Sequence, residues 1–138
     1  MNIKVELQDD GFAMAATNEE GKSILMDASE EIGGTNTGMR PMQVVLSGMG
    51  GCSAIDMLNI LRKQKEPVTG LTVRLQADRS PLDGASVFSK IHAIYEVHGS
   101  VSQAKAERAM RLSLDKYCSV SKMLEKTAEI TGEVRIVD

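Results

Sequence analysis

Apolar and polar positions alternate at the start of the chain, with Ile3, Val5 and Leu7 on one face, then Asp9-Asp10-Gly11, then Phe12, Met14 and Ala16 returning. That pattern predicts a β-hairpin. A second turn signal spans Asn18 to Gly21, and Ile24 and Met26 predict a third short strand, so the meander has one apolar face to cover. From Asp27 to Met39 the periodicity stops, and Gly33, Gly34 and Gly38 lie among Ser and Thr. Loops of that length are either functional or plain connectors, and the sequence leaves both open.

The next stretch dominates the chain. Between Met42 and Leu61 apolar residues point almost all the way round a 3.6-residue period. A helix apolar on every side is expected to be buried. Pro41 suits the first helical position and Lys63, Gln64 and Pro67 mark the end, giving about 22 residues or roughly 33 Å. Gly48, Gly50 and Gly51 each weaken such a helix by about 1 kcal/mol relative to Ala. A close neighbour is therefore expected at the glycines. If the helix loosens at Gly50-Gly51, Cys52 would sit near a restarted N-terminus that favours a thiolate. The other reading makes Cys52 a small buried hydrophobe, and Asp56, one turn on, opposes ionisation unless a cation pairs with it.

Leu71, Val73, Leu75 and Ala77 predict a half-buried strand, Ser80 to Gly84 a turn, and Val87, Ile91, Ala93, Tyr95 and Val97 the apolar face of a returning strand. His92, Glu96 and His98 share the opposite face. The two histidines are about 20 Å apart along a strand, too far to share one ion, so they are expected to be solvated. Ser100 and Gln103 form a capping-box pattern that predicts an amphipathic helix from Val101 to about Lys116. Its buried stripe is expected to contain Ala106, Ala109, Met110, Ser113, Leu114 and Tyr117. Tyr117 to Ser121 breaks that helix, with Ser119 or Ser121 capping a short successor and Cys118 at the junction. Ile130, Val134 and Ile136 predict a last strand. The expected order is β-β-β-α-β-β-α-α-β in a single domain, residues 1–138.

Composition narrows the function. Aromatic residues are only 3% and net charge is −3, which gives neither stacking platforms nor an electrostatic footprint for nucleic acid. The first six residues do not resemble a secretory signal, and Asp56 and Asn59 interrupt the one candidate membrane span, so no membrane association and a cytoplasmic location are expected. No cofactor motif and no metal ligand set is evident. The two cysteines, Cys52 and Cys118, are then reduced core thiols or a redox pair. Within bridging distance they could cycle between dithiol and disulfide.

Arg40-Pro41-Met42-Gln43, the helix through Gly50-Gly51-Cys52-Ser53, and Tyr117-Cys118-Ser119-Val120-Ser121 together resemble the OsmC/Ohr proteins. The resemblance covers essentially the whole chain. It implies an α+β fold in which antiparallel sheets wrap a long buried central helix, in an intertwined homodimer. It also implies a thiol-dependent peroxidase in which Cys52 reduces organic hydroperoxides, Cys118 forms the disulfide with it, and a dithiol is the reductant. Family peroxidases resemble one another in an arginine from the N-terminal sheet and an acidic residue after the proline. Here no Arg precedes Arg40, and Met42 and Gln43 follow Pro41, which leaves Arg40 as the candidate to assist the thiolate. The alternative is a non-catalytic dimer that binds an apolar small molecule, with methionines such as Met39, Met42, Met49 and Met57 as its wall, or that senses oxidation.

Overall fold

A computed structural model describes residues 1–137. The chain forms two compact units, Met1–Ser47 and a second from Gly48 on. The expected order of elements is present. In the first unit β1 (Ile3–Leu7), β2 (Met14–Asn18) and β3 (Ser23–Met26) form an antiparallel sheet in that order. Val5 pairs with Ala16 and Ala16 with Ile24, so the apolar side chains gather on one face. That face is open in the single chain: Ile3, Val5 and Leu7 are each more than half exposed.

The loop after β3 is built around one carboxylate. Asp27, 2% exposed, accepts hydrogen bonds from the backbone N–H groups of Ala28, Thr35 and Thr37 and from both threonine hydroxyls. Burial alone would raise its pKa, but these donors outweigh it and hold the carboxyl well below the usual range. A depressed carboxylate adds stability that is present above about pH 5 and fades as pH falls below the ordinary value of about 3.9. Replacing Asp27 with Ala removes five acceptor contacts, so limited proteolysis at neutral pH is expected to cut between residues 27 and 39 in the variant but not in the parent protein. Acidification should make the parent protein resemble the variant.

Helix α1 (Pro41–Lys63) follows, with Arg40 before it. Gln43 Oε1 accepts from the Arg40 N–H at 2.9 Å, one half of a capping box at the start. At its end Lys65 adopts φ 57°, and the N–H groups of Lys65 and Glu66 close back on Arg62 and Leu61. Two expectations are corrected here. The helix runs without a break through Gly50-Gly51, so Cys52 lies at mid-helix and not at a restarted N-terminus. In the single chain its burial is one-sided: Met49, Gly50, Ser53, Met57 and Leu61 are buried, while Val45 is 41% and Ile55 69% exposed. Fully burying Met49, Met57 and Leu61 contributes about 1.5–3 kcal/mol each. Of the three glycines only Gly50 is held by a neighbour, since a Cβ there would meet Leu75 at 2.9 Å; at Gly48 and Gly51 it would meet open space.

By length and composition α1 is also apolar enough to cross a bilayer, contrary to the reading from Asp56 and Asn59. In the second unit it serves as a core helix, with Gly50 against Leu75 and Ser53 bonded to Tyr95. Strands β4 (Gly70–Leu82) and β5 (Ala85–His98) form a long hairpin. It closes in two residues, Asp83 and Gly84, with φ 48° and 87°, so the strand continues through Ser80-Pro81, where a turn was expected. Strand β6 (Glu129–Val137) lies beside β5 and parallel to it, so this sheet is mixed where an antiparallel one was expected. The parallel direction follows from the long helical connection between the two strands.

That connection holds α2 (Gln103–Leu112), a π-helical turn (Ser113–Tyr117) and α3 (Ser119–Leu124). The cap of α2 is Ser102, whose hydroxyl accepts from Lys105 N–H; the Ser100–Gln103 box does not form. Gln103 instead donates to Glu107 and to the Val134 carbonyl. Ala106, Ala109, Met110, Ser113 and Leu114 are buried as expected, whereas Tyr117 is 52% exposed because the wider π turn rotates it off the stripe. On the outer face of the sheet His92 bonds Thr131 and Glu133, and Glu96 pairs with Arg74; these are partly solvated strand residues, as expected.

Candidate functional site

The second unit brings the two cysteines together. Cys52 projects from α1 one turn before Asp56, so the two side chains share a helix face. Cys118 reaches them because of the π turn: its N–H bonds the Ser113 carbonyl five residues back at 2.7 Å, and its backbone then turns to extended geometry to cap α3. The two Sγ atoms and an Asp56 carboxylate oxygen all lie within 4.8 Å of one another. Both cysteines are free thiols, Cys52 half-buried and Cys118 fully buried.

Their surroundings differ. Burial pushes the Cys118 thiol up, and the neighbouring Cys52 adds to the effect. Ser121 works the other way: its N–H donates to Cys118 Sγ at 3.4 Å. The Ser121 hydroxyl is fully buried, makes no hydrogen bond of ordinary geometry, and faces the same sulfur. On the other side, Asp56 Oδ2 accepts from the Ser113 hydroxyl at 2.9 Å, which fixes the carboxylate toward the thiols. No ion pair engages Asp56 among the described residues. Beneath them the Tyr95 hydroxyl donates to Ser53 Oγ at 2.8 Å, and Ser53 donates to the Gly50 carbonyl at 3.2 Å. Burial, aided by the nearby Cys118, Asp56 and Cys52, pushes the Tyr95 phenol up to about 12, so it stays a neutral donor at physiological pH. Beside Asp56 a depression of about 430 Å³ opens, lined also by Asn59, Ile60, Lys63 and Tyr117.

Arg40, the third candidate from the sequence, lies in the first unit. Its guanidinium binds the carbonyls of Ala28 and Gly38 and Asn36 Oδ1, and so holds the loop that surrounds Asp27. The sequence reading missed Ser53, Tyr95, Ser113 and Ser121 as members of the site. The available signal was a polar atom on each buried face, since such atoms require partners.

An α+β scaffold that sets two free thiols and a carboxylate against one another defines a dithiol protein. A model of the OsmC-like protein family matches residues 34–133, a span containing both cysteines and Asp56, and the chain belongs to that family. It is 35% identical to Protein YhfA of Escherichia coli K12 over 129 residues, 93% of this chain and 92% of that one. The crystal structure of a hypothetical protein from Aquifex aeolicus VF5 superposes with a TM-score of 0.80 at 26% identity, covering 99% of this chain and 97% of that one. The organic hydroperoxide resistance protein OhrB of Bacillus subtilis shares the fold at a TM-score of 0.69, with 16% identity and 98% of each chain covered.

Proposed function

We propose that the protein is a thiol-dependent peroxidase that reduces organic hydroperoxides, with Cys52 as the attacking thiol and Cys118 as the resolving one. The observation that carries this reading is the pair of sulfurs within 4.8 Å, one half-buried and the other fully buried. A substrate reaches Cys52 first. The Cys52 sulfur attacks the terminal oxygen of the hydroperoxide, the O–O bond breaks, and the thiol proton leaves with the alcohol, giving Cys52 sulfenic acid. Cys118 then attacks the Cys52 sulfur. The S–O bond breaks, hydroxide takes the Cys118 proton and departs as water, and a disulfide remains. A small dithiol or a dithiol partner supplies two electrons to reopen it. Membership of a family whose structural relatives include organic hydroperoxide resistance proteins supports the same chemistry.

Stopped-flow mixing of the reduced protein with an alkyl hydroperoxide tests this. One equivalent should be consumed per chain, leaving an intramolecular disulfide; a rate equal to that of free cysteine removes the enzyme reading. Arg40→Ala tests the part given to the arginine. If a guanidinium helps ionise Cys52, alkylation of that thiol shifts to higher pH in the variant; an unchanged profile leaves Arg40 as an anchor of its loop.

A homodimer in the reducing cytoplasm fits this reading. The open faces of β1 and of α1 at Gly48, Gly51 and Ile55 are surfaces a second copy would cover. One observation favours the alternative of apolar ligand binding. The first unit has a groove of about 480 Å³ lined by Val5, Phe12, Met14, Met26, Ile32 and Pro41. Its methionines are Met14 and Met26, whereas Met49 and Met57, expected in such a wall, are buried in the core. Native mass spectrometry showing a bound lipid-like molecule, together with no peroxide consumption, would favour that alternative.

A further inference from the structure

We propose that the reduced thiol pair and Asp56 form a binding site for Zn²⁺, with Cys52 Sγ, Cys118 Sγ and one Asp56 oxygen as ligands and a fourth position open. This inference uses the same thiols as the peroxidase reading but requires no peroxide chemistry.

The geometry comes first. In a tetrahedral zinc site with bonds of about 2.3 Å to sulfur and about 2.1 Å to oxygen, ligand atoms are roughly 3.6–3.8 Å apart. The three atoms here already lie within 4.8 Å of one another, so side-chain rotation needs to close each gap by at most about 1 Å. The donor set of two thiolates and a carboxylate is one that zinc accepts, and soft thiolates select against magnesium and calcium.

Charge supplies the second argument. Ionising both thiols beside the Asp56 carboxylate would gather three negative charges in a partly buried space. No cationic side chain pairs with that carboxylate among the described residues. A bound dication would compensate them where no described side chain forms an ion pair with Asp56. The outer contacts a metal site requires are also in place. Ser113 orients the carboxylate at 2.9 Å, while the Ser121 N–H donates to Cys118 Sγ and the Ser121 hydroxyl, buried and otherwise unpartnered, faces that sulfur. Half-buried Cys52 and the depression at Asp56 give an ion a way in.

Binding exchanges two thiol protons for one cation, so it weakens as pH falls, and it is incompatible with the disulfide. Zinc and hydroperoxide would therefore compete for Cys52, and oxidation would release the metal.

Titration of the reduced protein with Co²⁺, then displacement by Zn²⁺ against a chromophoric chelator, tests the site. One Co²⁺ per chain should bind with a near-ultraviolet thiolate-to-metal band. That band should lose about half its intensity in Cys52→Ser and in Cys118→Ser, as each removes one of the two thiolate ligands. Asp56→Asn keeps the Ser113 contact and the packing, and should weaken Zn²⁺ binding about 10-fold or more. Two protons should be released per Zn²⁺, and the oxidised protein should bind none. Absence of the band, a band unaffected by either cysteine substitution, or unchanged affinity in Asp56→Asn would each overturn the proposal. Because these readouts contain no hydroperoxide, a protein that binds zinc but fails the stopped-flow assay separates the two readings, as does the converse.

Discussion

Cys52→Ser should slow consumption of an alkyl hydroperoxide by roughly 1000-fold or more, the scale expected when a covalent nucleophile is removed. Cys118→Ser should leave the first reaction close to the parent rate and stop the cycle at a Cys52 sulfenic acid that dimedone traps. The asymmetry follows from burial. Cys118 is shut away from solvent, and burial first of all keeps its thiol protonated, so it is a poor attacker of an external peroxide but a well-placed partner for a neighbouring sulfur. If both variants lose the first reaction equally, the roles assigned to the two thiols are wrong. If the peroxide-treated parent protein carries no Cys52–Cys118 disulfide in its peptide map, the pairing is wrong.

Periodicity was enough for most of the architecture, because each element carries its own pattern. The half-buried strands alternate, the amphipathic α2 repeats at 3.6, and the turns carry Asp, Asn and Gly. What periodicity does not encode is the partner of each face. The uniform apolar surface of α1 implies burial on all sides, but whether another element of the same chain or something else covers Ile55 is a tertiary fact absent from the helix itself. The parallel pairing of β6 with β5 depends in the same way on the length of the connection. Cys52 and Cys118 were legible as a pair through their flanking motifs. The polar frame around them was less so, because Ser53, Tyr95 and Ser113 each occupy an apolar stripe and acquire partners only when α1, β5 and the π turn meet. The π turn leaves no strong mark in the sequence, although it brings Cys118 to Cys52 and swings Tyr117 outward.

Helix α2 and the π turn that follows it pack closely over Gly132. This residue pairs with Ala93 in the middle of β6, and a Cβ built there would lie 2.8 Å from Met110 Sδ and 2.9 Å from Leu114 Cδ1. Both atoms are ends of flexible side chains, so Gly132→Ala should cost little: methionine and leucine can turn aside, and alanine restricts the unfolded strand more than glycine does. Gly132→Val adds two further methyl groups with no space to receive them, and overpacking of this kind costs about 1–3 kcal/mol. The helix has to rise from the sheet, and it carries with it Ser113, whose hydroxyl holds Asp56, and the turn that delivers Cys118. Urea unfolding should therefore show a lowered midpoint for the valine variant and almost none of that loss for alanine. Disulfide formation after peroxide treatment should slow in step with the valine loss, because the same displacement separates the sulfurs. A valine variant as stable as the parent would mean that α2 does not rest on β6 at this distance, and one that is destabilised yet closes its disulfide at the parent rate would uncouple the seat of α2 from the thiol pair.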